Sequence, residues 1–167
     1  MHPAAARDRS DTPGWLEMVK GHHEAISRSF DALLDDSDVS RLRRDSLLRT
    51  LAFQMTAHAV AEENALYPAL AVHGLLPEAD RLYMDHAHFK VQLAMMQAAE
   101  AGQRSTAEWL VAVRKLRDVA LTHARKDEEE TLFPRLALLL DDRDNQSLAL
   151  TYEREYGQVR GVASQIS

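Results

Sequence analysis

The sequence predicts an all-α protein, an up-down-up-down four-helix bundle with a short extra C-terminal helix, and three observations carry that prediction. Ala and Leu dominate, while Gly (6) and Pro (5) are scarce among 167 residues, a composition of strong helix formers. Long segments place apolar residues at helical spacing along the chain. The connections between them are short, so successive helices must return alongside one another.

The first helix opens behind Asp11-Thr12-Pro13, a side-chain cap followed by proline where a missing N–H costs least. It turns Trp15, Met18, Ile26, Phe30, Leu33 and Leu34 inward until the acidic turn at Asp35-Asp36-Ser37-Asp38. A second helix begins near Ser40 and carries Leu42, Leu47, Leu48, Leu51, Met55 and Val60. It is expected to end near Tyr67, because Pro68 lacks a donor and His73-Gly74 follows. The third runs from Pro77-Glu78 to Gly102, with Leu82, Phe89, Leu93 and Met96 as its inner stripe. The fourth starts at the capping box Ser105-Thr106-Ala107-Glu108. It offers Trp109, Val111, Val113, Leu116, Val119 and Leu132 to the core and continues past Pro134 toward Leu140. A shorter amphipathic piece, about Ser147 to Val159, is expected to lie across the bundle or to pack against a second copy in a homodimer. Residues 1–12 read as a disordered N-terminal tail, 13–160 as the single helical domain and 161–167 as a C-terminal tail.

Composition removes several classes of function. A net charge of -6 without a basic stripe argues against nucleic acid as a partner. The chain has no Cys, which excludes disulfides and thiolate chemistry and favours a cytoplasmic location. No apolar run approaches the ~20 residues of a membrane span, and the first residues lack the apolar core of a signal peptide. No phosphate-binding Gly loop, Ser-His-Asp arrangement or nucleophile elbow is present, so no catalytic residue is assigned. Histidine is the oddity, at 8 residues.

Four histidines stand where an apolar stripe would otherwise continue. His23 is followed by Ile26, Phe30 and Leu33, His86 by Phe89, Leu93 and Met96, and His58 lies between Met55 and Leu66. Residues in such a register point into the core. A buried imidazole without partners costs ~1–3 kcal/mol, and four imidazoles with two carboxylates satisfy one another best around a cation. The order repeats as well: His, then His followed by Glu, twice over. Two αα-hairpins of one design, each giving two imidazoles and one carboxylate, suit a pair of metal ions bridged by both carboxylates. Nitrogen and oxygen donors without sulfur favour iron or manganese. His22, His73 and His88 read as surface residues, Glu129 and Glu130 as solvated acids, and Met95-Met96 as core filler.

The stretches GHHEAI, HAVAEENALYP, DHAHF and HARKDEEETLFP resemble the hemerythrin-like (HHE cation-binding) family over roughly Trp15 to Leu140. The resemblance implies a non-haem diiron centre, two iron ions with an oxo or hydroxo bridge, that binds a small diatomic molecule or peroxide. Carried over by motif, the metal ligands are His23, His58, Glu62, His86, His123 and Glu128. Oxygen-carrying hemerythrins use a further histidine one turn before the third-helix ligand, and here Leu82 holds that place. The resemblance therefore implies fewer protein ligands on the His86 and His123 side and favours chemistry over reversible carriage. Tyr67, Tyr83 and Lys90 are candidates to support the site, each set against a packing or surface role. Oxygen or iron storage, or sensing without turnover, is the alternative reading.

One detail separates the two repeated phrases. HARKDEEETLFP holds one residue more between its His and its Glu-Glu pair than HAVAEENALYP does. Asp127 lies four residues after His123 and shares its helix face, whereas Glu128 is the counterpart of Glu62 when counted back from the Leu-aromatic-Pro ending. A regular helix turns Glu128 ~140° away from His123. Glu128 reaches the same centre only if the helix absorbs the extra residue, most simply as a π-bulge, and that is the reading adopted.

Overall fold

The computed structural model describes residues 14–35, 41–101 and 106–165, and every regular element among them is helical. Helix α1 (Trp15–Asp35) is followed by α2 (Arg41–Ala61), a π-helical segment Glu62–Leu66 and α3 (Tyr67–Val72). Helix α4 (Leu76–Ala101) leads to α5 (Thr106–Thr122), a second π-helical segment His123–Leu132 and α6 (Phe133–Leu139). Helix α7 (Asp142–Gln165) closes the chain and packs against α1 and α2. The caps expected at Asp11–Pro13 and Ser105, and the tail at 1–12, lie outside the described residues.

The expectation that the second helix ends near Tyr67 is corrected: the backbone stays right-handed helical through Leu66 and Tyr67 and reaches Val72. A proline ring inside an α-helix presses on the carbonyl four residues earlier, here Asn64. The wider π turn opens the backbone at that point, and the Tyr67 N–H reaches back to the Glu62 carbonyl. Pro134 is accommodated in the same way, with the Phe133 N–H on the Glu128 carbonyl. Helix α3 then ends in a paired cap. The Gly74 N–H bonds to Ala71 O (3.2 Å) and the Leu75 N–H to Leu70 O (2.9 Å). Gly74 sits at φ 84°, which a side chain would resist. Helix α7 is longer at both ends than the Ser147–Val159 piece expected.

Two apolar clusters fill the interior. One gathers Trp15, Val19, Leu66, Leu82, Phe133 and Tyr152; the other gathers Ile26, Phe30, Met55, Phe89, Leu93 and Trp109. Along α1 the order is Val19, His23, Ile26, and along α4 it is Leu82, His86, Phe89, so each histidine lies where one cluster gives way to the other. Four expected core positions are instead exposed: Leu42, Val111, Val119 and Met95. Each falls on the outer edge of its stripe, where periodicity alone does not say how far the neighbouring helix covers it.

Candidate metal centre

Between the two apolar clusters the structure brings together all six residues singled out from the sequence. His23, His58, Glu62, His86, His123 and Glu128 are all buried, and both carboxylates are 0% exposed. They form two overlapping groups, His23, His58, Glu62 and Glu128, and Glu62, His86, His123 and Glu128. The carboxylates belong to both. Glu62 Oε2 lies 3.1 Å from His58 Nε2 and 3.3 Å from His86 Nε2. Glu128 Oε2 lies 3.2 Å from His23 Nε2, and its Oε1 lies 3.2 Å from His123 Nε2.

The longer phrase reaches this point through its backbone. His123 opens the π-helical segment, and the wider turn brings Glu128 back onto its face, five residues on. Asp127 instead turns outward to Arg81, at 3.0 Å. In the shorter phrase, His58 and Glu62 meet across one ordinary turn, and the π segment follows them.

Each of the four imidazoles directs Nε2 inward and has an oxygen against Nδ1. Glu129 is 2.6 Å from His23 Nδ1, Glu63 3.1 Å from His86 Nδ1 and Asp85 3.1 Å from His123 Nδ1. For His58 the neighbour is the Tyr152 hydroxyl, at 3.2 Å. A carboxylate at Nδ1 holds the proton there and leaves the Nε2 lone pair for the centre, once the ring is neutral. Lys90 neutralises Glu63 at 2.6 Å. Glu63, Asp85, Glu129 and Tyr152 are missing from the sequence reading, and the assignment of Glu129 as a solvated acid is corrected. The one local signal was adjacency, since Glu63, Glu129 and Asp85 stand beside Glu62, Glu128 and His86. His22 is corrected too: its ring is partly buried and bonded to Tyr152 at 2.8 Å. His73 and His88 are exposed, as expected.

Tyr67 enters more deeply than a supporting residue. Leu82 is buried one turn before His86, and the Tyr67 hydroxyl comes into the centre instead. It lies 2.9 Å from His86 Nε2 and 3.4 Å from His123 Nε2, and donates to Glu128 Oε1 at 2.7 Å. Tyr83 packs edge-on against its ring and donates to the Glu63 carbonyl.

The electrostatics are those of a charge-neutralising cluster. Burial alone would push His23 down, yet Glu128 and Glu129 at its nitrogens hold it up at about 9. Burial opposes the charged form of His123 as well, but Glu128 and Asp85 raise it to about 10. His86 is raised against the same burial by Glu62 and Glu63. His58 is the exception: burial wins and lowers it. Burial and Glu128 would raise Glu62, but His58 and His86 bring it to about 2. Burial and the two carboxylates push Tyr67 well above its usual range.

The donor set fits a cation. Glu62 Oε1 is fully buried without a hydrogen-bond partner, and an unsatisfied buried carboxylate oxygen is costly. His23 Nε2 and His58 Nε2 face each other at 3.0 Å, so two basic nitrogens converge where a positive charge is best placed. The hemerythrin HHE cation-binding domain matches residues 16–136. The chain belongs to that family. A DNA nickase from Nostoc sp. (strain PCC 7120 / SAG 25.82 / UTEX 2576) is 24% identical over 144 residues, 86% of this chain and 39% of that protein. The chain thus spans about two fifths of that relative's length. No solved structure matches the chain significantly. Within this HHE domain the two buried His/Glu groups form the candidate cation site.

Proposed function

We propose that this HHE domain is an up-down-up-down four-helix bundle holding two iron ions. In this reading His23 and His58 serve one ion, His86 and His123 the other, and Glu62 and Glu128 both. The single observation that carries the reading is the shared position of the two buried carboxylates, each within 3.3 Å of imidazoles from both groups. A lone structural zinc takes four ligands and would leave donors idle. Tyr67 supplies a phenol oxygen on the side where Leu82 supplies none. Iron in such a site supplies redox chemistry toward dioxygen, nitric oxide or peroxide.

The protein's own residues favour a small ligand. A cavity of about 30 Å³ adjoins the centre, lined by all four imidazoles together with Ile26 and Phe89. That is room for a molecule of two or three atoms, since a water needs roughly 10–15 Å³ on such a measure. Ile26, Met55, Phe89 and Leu93 of one apolar cluster give the cavity an apolar wall, and the Nδ1 partners keep the four rings oriented. We place this activity in oxidative or nitrosative stress defence within the cytoplasm, a location supported by the absence of Cys. No helix among the described residues is long and apolar enough to cross a membrane.

Iron per chain, measured after iron-replete expression, tests the reading: two is expected, and fewer than one overturns it. Oxygen added to the reduced protein then separates turnover from storage or sensing. A visible band that forms with oxygen and disappears under vacuum favours reversible binding. Consumption of peroxide or nitric oxide over many cycles favours catalysis. Tyr67→Phe is expected to remove any visible tyrosinate-to-iron absorption from the ferric protein while retaining more iron than His86→Ala; an unchanged spectrum would place Tyr67 outside the coordination. The Nostoc relative's name raises DNA nicking as an alternative. The net charge of -6 opposes binding to phosphodiester, and intact supercoiled plasmid after incubation with the iron-loaded protein is the expected result.

A further inference from the structure

The chain has only four tyrosines, and they form two pairs that run outward from the candidate metal centre. Tyr67 and Tyr83 are one, with ring centroids 5.0 Å apart. Tyr152 and Tyr156, one turn apart on α7, are the other, and His22 joins them. The Tyr152 hydroxyl is 3.2 Å from His58 Nδ1 and 2.8 Å from His22 Nδ1. The His22 ring lies flat on Tyr156, with centroids 3.8 Å apart and planes 12° apart. Tyr152 is 0% exposed, whereas Tyr156 is partly exposed. Contacts thus run unbroken from a candidate ligand to the surface.

The direction of the hydrogen bonds sets this pair apart. With Nε2 of His58 turned to the metal, its Nδ1 carries the proton and can only donate, so Tyr152 accepts from it. Tyr152 must then spend its own O–H on His22 Nδ1, which acts as the acceptor. A phenol that loses an electron becomes a strong acid, and it is readily oxidised only where a base takes the proton in the same event. His22 is such a base. Tyr83 donates to the Glu63 backbone carbonyl, which cannot take a proton. Tyr67 faces Glu128 and Glu62, carboxylates committed to the metal ions.

We propose that Tyr152, with His22 and Tyr156, is a one-electron relay between the metal centre and the protein surface, serving oxidation of small one-electron donors that reach Tyr156. The proposal rests on the diiron reading above. When peroxide is cleaved, its O–O bond takes two electrons and two solvent protons and leaves two waters. A bound iron pair would supply one electron and Tyr152 the other across the His58 imidazole, and a second donor electron passed through Tyr152 would return the iron pair to its starting state. The Tyr152 O–H bond breaks, its proton moves to His22 Nδ1, and a neutral phenoxyl radical remains. A donor at Tyr156 gives up one electron and returns the radical to phenol, with His22 restoring the proton.

The test is freeze-quench electron paramagnetic resonance of the full iron-loaded chain mixed with hydrogen peroxide, with the radical expressed per bound iron. The wild type is expected to show a tyrosyl signal. Tyr152→Phe and His22→Gln should both lose it, while Tyr156→Phe should keep it with slower decay on adding ascorbate. Bound iron without a tyrosyl signal, or an equal signal per iron in Tyr152→Phe, overturns the relay and leaves the diiron reading intact. Fewer than one iron per chain overturns both.

Discussion

On the proposed two-ion reading, Glu128→Ala should strip both metal ions from the protein, whereas His58→Ala should strip only one. Glu128 belongs to both groups of donors, while His58 belongs to one. Removing Glu128 takes an oxygen from His23 at 3.2 Å and from His123 at 3.2 Å together. It also leaves Glu62 as the sole carboxylate against the charge of two cations. Removing His58 leaves His86, His123 and both carboxylates in place. Metal per chain should therefore fall from about two to below one for Glu128→Ala, and for Glu62→Ala by the same logic, but to about one for His58→Ala. Asp127→Ala, which loses the ion pair with Arg81, and His73→Ala on the surface should both stay near two. Elemental analysis after iron-replete expression reads all five variants, and equal loading of Glu128→Ala and Asp127→Ala would refute the role given to the π-helical segment.

Metal uptake at neutral pH should release protons, and affinity should climb steeply with pH. In the metal-free protein His23 and His123 are held at about 9 and about 10 by the carboxylates around them. Both rings therefore carry a proton at pH 7 that a metal must displace. One proton lost per ion, two for the pair, gives roughly a 10-fold gain in affinity per pH unit for each ion and about 100-fold for the pair until the histidines deprotonate on their own. Calorimetry in buffers with different heats of ionisation counts the protons directly, and release of fewer than one would contradict the charge state derived for the cluster.

The same shifts give the metal-free protein the opposite trend in stability. His23 and His123 titrate higher folded than at their usual 6.5, so their contribution is complete below 6.5 and is lost as pH rises toward 9 and 10. Glu62 is lowered from 4.5 to about 2, so its contribution is present above 4.5 and is lost on acidification toward 2. The lowered His58 subtracts stability as pH falls below 6.5. Metal-free protein should accordingly be more stable at pH 6 than at pH 9, while metal loading should favour the higher pH. Denaturant titrations at the two pH values check both signs.

Much of the site was legible because it is written along single helices. The steps Val19, His23, Ile26 and Leu82, His86, Phe89 place an imidazole in an apolar stripe, and such a stripe has one way to face. The repeated phrase ending in Leu-aromatic-Pro distinguished Glu128 from Asp127, since both copies end in the same proline-bearing turn. Where each helix ends was less legible. Pro68 reads as a stop, yet the π turn Glu62–Leu66 relieves its clash and the helix continues to Val72.

What the sequence determined by itself is the helical class and the type of donor, because these follow from local periodicity; the full set of six residues came from the resemblance to the HHE family and from the repeated phrase. What only the tertiary structure decided is which oxygen stands behind each imidazole and which residue enters where Leu82 leaves room. Glu129 behind His23, Glu63 behind His86, Asp85 behind His123 and Tyr152 behind His58 each come from a different helix than the ring they touch. Their contacts depend on how neighbouring helices are rotated and offset, a relation that no stretch of one helix contains. Tyr67 is the clearest case: just ahead of Pro68 it reads as the end of a helix, and folded it puts its hydroxyl among four of the site's donors.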